Sequence, residues 1–326
     1  MTMFQDSVIP KQVMSAHPRH QVGSDTWMDD YREFGFVVFE RLIPEALVSS
    51  HLERFEELLA RFNVRERGAI EQLKGVEREQ FDVALDGLYS DPEQSLELCR
   101  YPVMHALATK LFREDSVAWN PLTMIWGGGA IPHRDLICFR DPSSEAARLW
   151  VAMEDLHPES GLLYVVPGSQ KSGYRYNELL DEEPEFLEIL RLLAKGGTGV
   201  ESWNKLMKPI IDHHHEESAL IAESSQKEIL DLKMGDAVLF DAALIHGSLV
   251  SGDRGLTRKS FLLELRSRSC KTYSMRAYFG SKHDYRRPEN AVSEMIIESP
   301  LGPYGRRVAV DKDVLSAPIV GFSESA

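Results

Sequence analysis

The chain is poor in cysteine: Cys99, Cys138 and Cys270 are its three, widely spaced and with no CxxC pair. That argues against a zinc site built on thiolates and against a disulfide framework, and it predicts reduced thiols. No run of apolar residues approaches the roughly 20 needed to span a bilayer. Residues 1–23 lack the continuous apolar stretch of a secretion signal, and residues 322–326 match no lipidation or peroxisomal address. Basic residues are also short, 37 against 51 acidic, for a formal net charge of -14. A surface of that sign suits neither nucleic acid nor an anionic membrane, although a local basic pocket can sit inside an acidic protein. The expectation is a soluble cytoplasmic protein with no nucleic-acid or membrane partner; nothing in the sequence speaks to its oligomeric state.

What is present is ordinary globular material, 43% hydrophobic and 27% charged over 326 residues, enough for a large core. Asp25 is placed to cap a short helix that Gly35 stops before the apolar run Phe36-Val37-Val38-Phe39. Pro44 opens an amphipathic helix carrying Leu47, Val48, Leu52, Phe55 and Leu59 at helical spacing, and another helix is predicted from Glu93 to Phe112. From about Val117 short apolar stretches alternate with turn residues, which predicts strands near 122–126, 148–155, 162–166, 237–240 and 260–265. Between the third and fourth of these lies an acidic insertion that reads as helix from Asn177 to Lys195, then a polar segment to about Lys227. An all-β sandwich or barrel with helices packed outside suits that order.

The chemistry concentrates in Pro132-His133-Arg134-Asp135. Side chains two residues apart on an extended chain project to one side, so an imidazole nitrogen and a carboxylate oxygen converge. His246, at the end of the apolar stretch 237–245, is the best third ligand. Two histidines and one carboxylate on one face of a metal suit Fe(II) that must also take a co-substrate and O2, whereas zinc more often takes three or four protein ligands. His157-Pro158-Glu159 and the run His213-His214-His215-Glu216-Glu217 are rivals in composition. The first is expected to cap or pack beside its turn, and the second to lie in a solvated loop.

Four blocks in order then resemble the phytanoyl-CoA dioxygenase family of Fe(II)/2-oxoglutarate oxygenases. They are His133-Arg134-Asp135-Leu136, Trp150 through Asp155, Gly161 through Ser169, and His246-Gly247-Ser248 followed by Arg258-Lys259-Ser260. The resemblance covers about 122–264. It implies a mainly β protein with flanking helices, whose core is a double-stranded β-helix, a cupin-like jelly roll with the metal at one open end. On that reading the chain is one oxygenase domain. Residues 1–24 are a loose start, 25–115 helical support, 117–270 the core with insertion 170–227, and 271–326 a C-terminal extension.

The resemblance makes His133, Asp135 and His246 the iron ligands and Arg258 the partner of the distal carboxylate of 2-oxoglutarate. A guanidinium pairs a carboxylate through two parallel bonds and stays charged when buried. Arg254, Arg266 and Arg268 are alternatives by charge alone. Ser248, Trp150 and Met124 match positions that contact 2-oxoglutarate, yet Ser248 can equally bond its own turn, and Trp150 and Met124 can equally be core. The activity implied is oxidation of an unactivated C–H of a small-molecule metabolite, by hydroxylation or another outcome of the same chemistry, with release of succinate and CO2. Related halogenases carry a small residue where this chain has Asp135, so halogenation is not expected. A non-catalytic jelly-roll binding protein and an iron cupin that does not use 2-oxoglutarate are the alternatives. Trp119, Trp126, Phe139, Arg140 and Tyr174 are candidate pocket residues by proximity, with core packing an equal alternative; Cys138 lies within reach of stray oxidant, and Arg134 and Arg140 either meet an anionic substrate or sit in solvent.

Overall fold

The computed structural model describes residues 17–24, 26–62, 97–125, 129–135, 146–172, 208–253, 255–267, 293–297 and 306–309. Its strands are β1 (Arg19–His20), β2 (Phe36–Phe39), β3 (Ser116–Met124), β4 (Ala146–Ala152), β5 (Leu163–Val165), β6 (Glu228–Ile229), β7 (Ala237–Asp241), β8 (His246–Ser248), β9 (Ser260–Ser267), β10 (Ser293–Ile297) and β11 (Arg306–Ala309). The helices named among the described residues are α1 (Trp27–Phe34), α2 (Glu45–Phe62), α3 (Pro102–Phe112) and α4 (Lys208–Ser224). Eight strands form one sheet in the order β1-β2-β7-β4-β9-β3-β10-β11, and β6-β5-β8 form a second. The protein is a jelly roll, mainly β with helices outside, as the sequence predicts.

The central strands are largely apolar because both of their faces are buried. In β2 all four residues are buried, yet they divide by period two. Val37 and Phe39 join Leu149, Val151, Ala237, Leu239, Leu263 and Leu265 in an outer core, closed by Trp27, Val48, Met104 and Ala108 from the helices. Phe36 and Val38 face the other way, with Trp150, Ala152, Val238 and Phe240, against Leu163 and Val165 of the small sheet. This inner core is the chamber that the two sheets enclose. One strand therefore serves two cores.

Helix α1 ends where predicted: Gly35, at φ 81°, donates its backbone N–H to Tyr31 O. Asp25 lies outside the described residues, and Thr26 holds the N-cap position with no side-chain bond. The helix predicted from Glu93 is interrupted. Tyr101 is extended, at ψ 116°, and Pro102 opens α3 afresh, because a residue before proline is disfavoured in the helical region. Gly235 is held more tightly than any turn needs, at φ 85°, where an added Cβ would lie 2.3 Å from the Ile43 carbonyl oxygen. That carbonyl belongs to backbone and cannot swing aside, so Gly235→Ala combines left-handed strain with overpacking. A loss of about 2–4 kcal/mol is expected, read as a lower urea midpoint at unchanged slope.

Among the described residues no helix is long and apolar enough to cross a membrane. The segment Asn177–Lys195, expected to be helical, lies outside those residues, as do Trp126, Cys138, Phe139, Arg140, Tyr174, Arg254 and Arg268.

Candidate metal centre

His133 and His246 face each other across an isolated antiparallel bridge. His133 N–H donates to His246 O at 2.9 Å and His246 N–H to His133 O at 3.0 Å, so their backbones are locked in register. Strand β8 is pinned on its other side by β5, with Val165 opposite His246 and Leu163 opposite Ser248. Gly247 lies between them under pressure: an added Cβ would lie 2.5 Å from Tyr164 Oη and 2.8 Å from Ala130 O. Only hydrogen fits there.

The two rings are turned alike. His133 Nδ1–H donates to Ile131 O at 2.8 Å, and His246 Nδ1–H to Leu244 O at 3.0 Å. A carbonyl can only accept, so each Nδ1 carries a proton and, in the neutral ring, each Nε2 presents a bare lone pair. Both Nε2 atoms point to Asp135 Oδ1, at 3.6 Å from His133 and 3.8 Å from His246. These separations are too long for hydrogen bonds, yet one donor atom from each residue falls within 4.8 Å of the others. The set can hold a metal ion, and two imidazoles with one carboxylate fit Fe(II) better than an all-oxygen or thiolate metal. Burial alone would raise the Asp135 carboxyl, but His246, Arg148 and His133 outweigh it and hold it down at about 2. Burial, then His133, lowers His246 to about 4 against the pull of Asp135. Near neutrality these two groups are therefore in the forms that bind metal, carboxylate and neutral imidazole.

Arg148 is the feature that sequence reasoning missed. It is 1% exposed, and its Nε donates to Asp135 Oδ2 at 2.8 Å while Nη2 lies 3.4 Å from Glu264 Oε1. Arg148 and Glu264 are register partners across β4 and β9, and both point to the inner chamber like Trp150 and Leu262. A lone arginine in the apolar stretch AARLWVA, two residues before Trp150, was the available signal.

Arg134 corrects an expectation. Neither solvated nor open to substrate, it is 1% exposed. Its Nε donates to Ala243 O at 3.1 Å, one terminal nitrogen lies 3.1 Å from Glu217 Oε2, and the other donates to Ser172 Oγ at 2.7 Å. Between two candidate ligands, it staples their segment to α4 and to the turn at 169–172. The histidine run is likewise no solvated loop. It lies in α4, with His214 buried and the His215 ring 6.2 Å from that of His133, edge to face. Burial and then His133 lower the His215 pKa. His157 caps its short helical turn, as expected, accepting from Glu159 N–H at 3.2 Å.

The residues matched to 2-oxoglutarate share the inner chamber in part. Arg258 is buried, its guanidinium carbon 5.8 Å from the centre of the Trp150 ring, and it donates to Gly161 O at 2.8 Å. Trp150 belongs to the inner core together with Phe240, whose ring lies 4.8 Å from His246. Met124 packs against the same core. Ser248 accepts from Ala130 N–H at 2.9 Å, which ties β8 to the loop before His133. Arg266 lies in β9, opposite Ala146 and Val117.

Residues 31–254 match the family model described as phytanoyl-CoA dioxygenase (PhyH). A curated relative from Oryza sativa subsp. japonica, phytanoyl-CoA dioxygenase 1, is 28% identical over 123 residues, 37% of this chain and 34% of the relative. The match thus spans about a third of that relative's length. Among solved structures, the non-heme alpha ketoglutarate dependent epimerase SnoN from nogalamycin biosynthesis aligns over 73% of this chain and 81% of its own. The identity is 16% and the TM-score 0.47. The non-heme monooxygenase ThoJ, in its Ni complex, aligns over 88% and 91% at 13% identity with a TM-score of 0.49.

Proposed function

The chain belongs to the phytanoyl-CoA dioxygenase family, and from that premise we propose that it is an Fe(II)- and 2-oxoglutarate-dependent oxygenase acting on a C–H bond of a small-molecule metabolite. The single observation that carries the reading is the convergence of two bare imidazole nitrogens and one carboxylate oxygen within 4.8 Å. When bound, iron and 2-oxoglutarate supply the oxidising chemistry, in which O2 converts 2-oxoglutarate to succinate and CO2 while the substrate C–H is oxidised.

The chain's own residues take definite parts in this reading. His133, Asp135 and His246 hold the metal, each imidazole aimed by a backbone carbonyl behind it. Arg258 grips the far carboxylate of 2-oxoglutarate, with Trp150 beneath its guanidinium to limit its freedom. Met124 and Ser248 belong to the same subsite, Met124 by its place against the inner core and Ser248 by fixing the loop that precedes His133. The apolar inner core backs the centre on the His246 side, where it strengthens charge interactions, while His133 and Asp135 keep partial exposure. Helix α4, which carries His215 beside His133, is a wall of the substrate pocket.

The test is succinate release from 2-oxoglutarate by the purified chain with Fe(II) and ascorbate, screened against free metabolites and their coenzyme A thioesters. Slow Fe(II)-dependent succinate formation is expected without substrate, rising at least about tenfold with one that fits, because a positioned C–H couples the two half-reactions. Absence of Fe(II)-dependent 2-oxoglutarate consumption throughout the screen would favour a binding protein, or an iron cupin with another oxidant.

A further inference from the structure

We propose that Arg148 is a positioning residue of the metal centre, which holds Asp135 as a ligand through one oxygen only. The inference rests on the iron reading above and adds what governs that site. A carboxylate beside a metal can bind through one oxygen or chelate through both, and chelation consumes a coordination position. Here the two oxygens of Asp135 are already divided. Oδ2 accepts the Arg148 Nε–H at 2.8 Å, while Oδ1 is the oxygen 3.6 Å and 3.8 Å from the two Nε2 atoms. A charge-assisted bond of that length resists exchange, so Oδ1 alone is offered.

The arginine is itself fixed. It stands in β4 between β7 and β9, opposite Phe240 on one side and Glu264 on the other. Backbone pairing on both sides sets its Cα, and Glu264 Oε1 lies 3.4 Å from Nη2, so a second carboxylate holds the guanidinium besides Asp135. Two residues on, the same face of β4 carries Trp150 beneath Arg258. One strand face thus aims the metal-binding carboxylate and backs the arginine assigned to the co-substrate. Keeping Asp135 to one oxygen would leave a bound metal one more position for groups other than the protein's own ligands.

Co(II) serves as the probe, titrated into the metal-free full chain and followed by its visible absorption, which reports both affinity and coordination. Wild type is expected to bind one Co(II). Arg148→Gln, with wild-type circular dichroism, is expected to bind about 10–100-fold more weakly, the usual cost of losing an orienting partner. Its absorption band should also change in position and intensity as Asp135 Oδ2 becomes available. Arg148→Lys keeps the charge but loses the planar fork, and should show the same spectral change with a smaller loss; it carries the test if the glutamine variant does not fold. Wild-type affinity and spectrum in either folded variant would overturn the proposal. Failure of wild type itself to bind Co(II) would overturn the metal reading beneath it, a result the variants cannot mimic.

Discussion

His246→Ala is expected to abolish Fe(II)-dependent succinate release, by more than about a hundredfold, since even partners that merely orient a ligand cost 10–100-fold when lost. His246 is 7% exposed and its Nε2 is one of only two imidazole donors in the set, so no described histidine can slide into its place. The His215 ring stands 6.2 Å from His133 but is not among the three residues whose donor atoms converge. His133→Ala should match it in activity. Asp135→Ala should lose as much activity and some stability besides, because Arg148, 1% exposed, would keep its charge with one carboxylate fewer to face. That destabilisation is expected at about 3 kcal/mol. Asp135→Asn separates the two effects, since its amide oxygen can still accept from Arg148 while its ligand strength falls. Circular dichroism and thermal melting establish that each variant is folded, and succinate is then quantified at saturating 2-oxoglutarate. Turnover by folded His246→Ala within about tenfold of wild type would remove the metal assignment altogether.

The sequence carried the near-neighbour part of this site and missed the cross-strand part. His133 and Asp135 were legible as a pair two residues apart, and they do converge, although only His133 pairs as strand and Asp135 stands in a helical turn. His246 was legible as a histidine ending an apolar stretch. The two-core architecture was half legible: β2 reads simply as FVVF, and only strand pairing reveals that alternate residues serve different clusters. Arg148 was legible only as a lone arginine in an apolar stretch, since its meaning depends on Glu264 lying opposite it in a register that composition does not encode. Arg134 was expected to meet an anionic substrate or to sit in solvent, whereas its side chain is buried against Ala243, Glu217 and Ser172, partners distant in sequence that composition does not reveal. The histidines of α4 were misjudged because their polar neighbours suggested solvent. Helical geometry instead buries His214 and Ser218, four apart, on one face.

Arg258→Ala is expected to raise the KM for 2-oxoglutarate by about 30- to 1000-fold, the loss of roughly 2–4 kcal/mol for a buried charge-assisted carboxylate contact. The location makes the large value reasonable. Arg258 is 6% exposed, its backbone N–H donates to Ile125 O at 2.8 Å, and one terminal nitrogen donates to Gly161 O at 2.8 Å, leaving a guanidinium already oriented over Trp150. A dicarboxylate meeting such a group has little side-chain entropy to overcome. Arg258→Lys should recover only part of the loss, because an ammonium cannot make two parallel bonds or stack on an indole as a guanidinium does. The split between constants discriminates the roles. A contact to the remote carboxylate should alter KM for 2-oxoglutarate more than kcat and leave Co(II) affinity within about threefold of wild type, since Arg258 is no part of the triad. Trp150→Leu, which removes the ring under the guanidinium, should move KM in the same direction by a smaller factor, about three- to tenfold. Equal KM values in wild type and a folded Arg258→Ala would assign the carboxylate to another cation and return Arg258 to a structural role at the Gly161 turn.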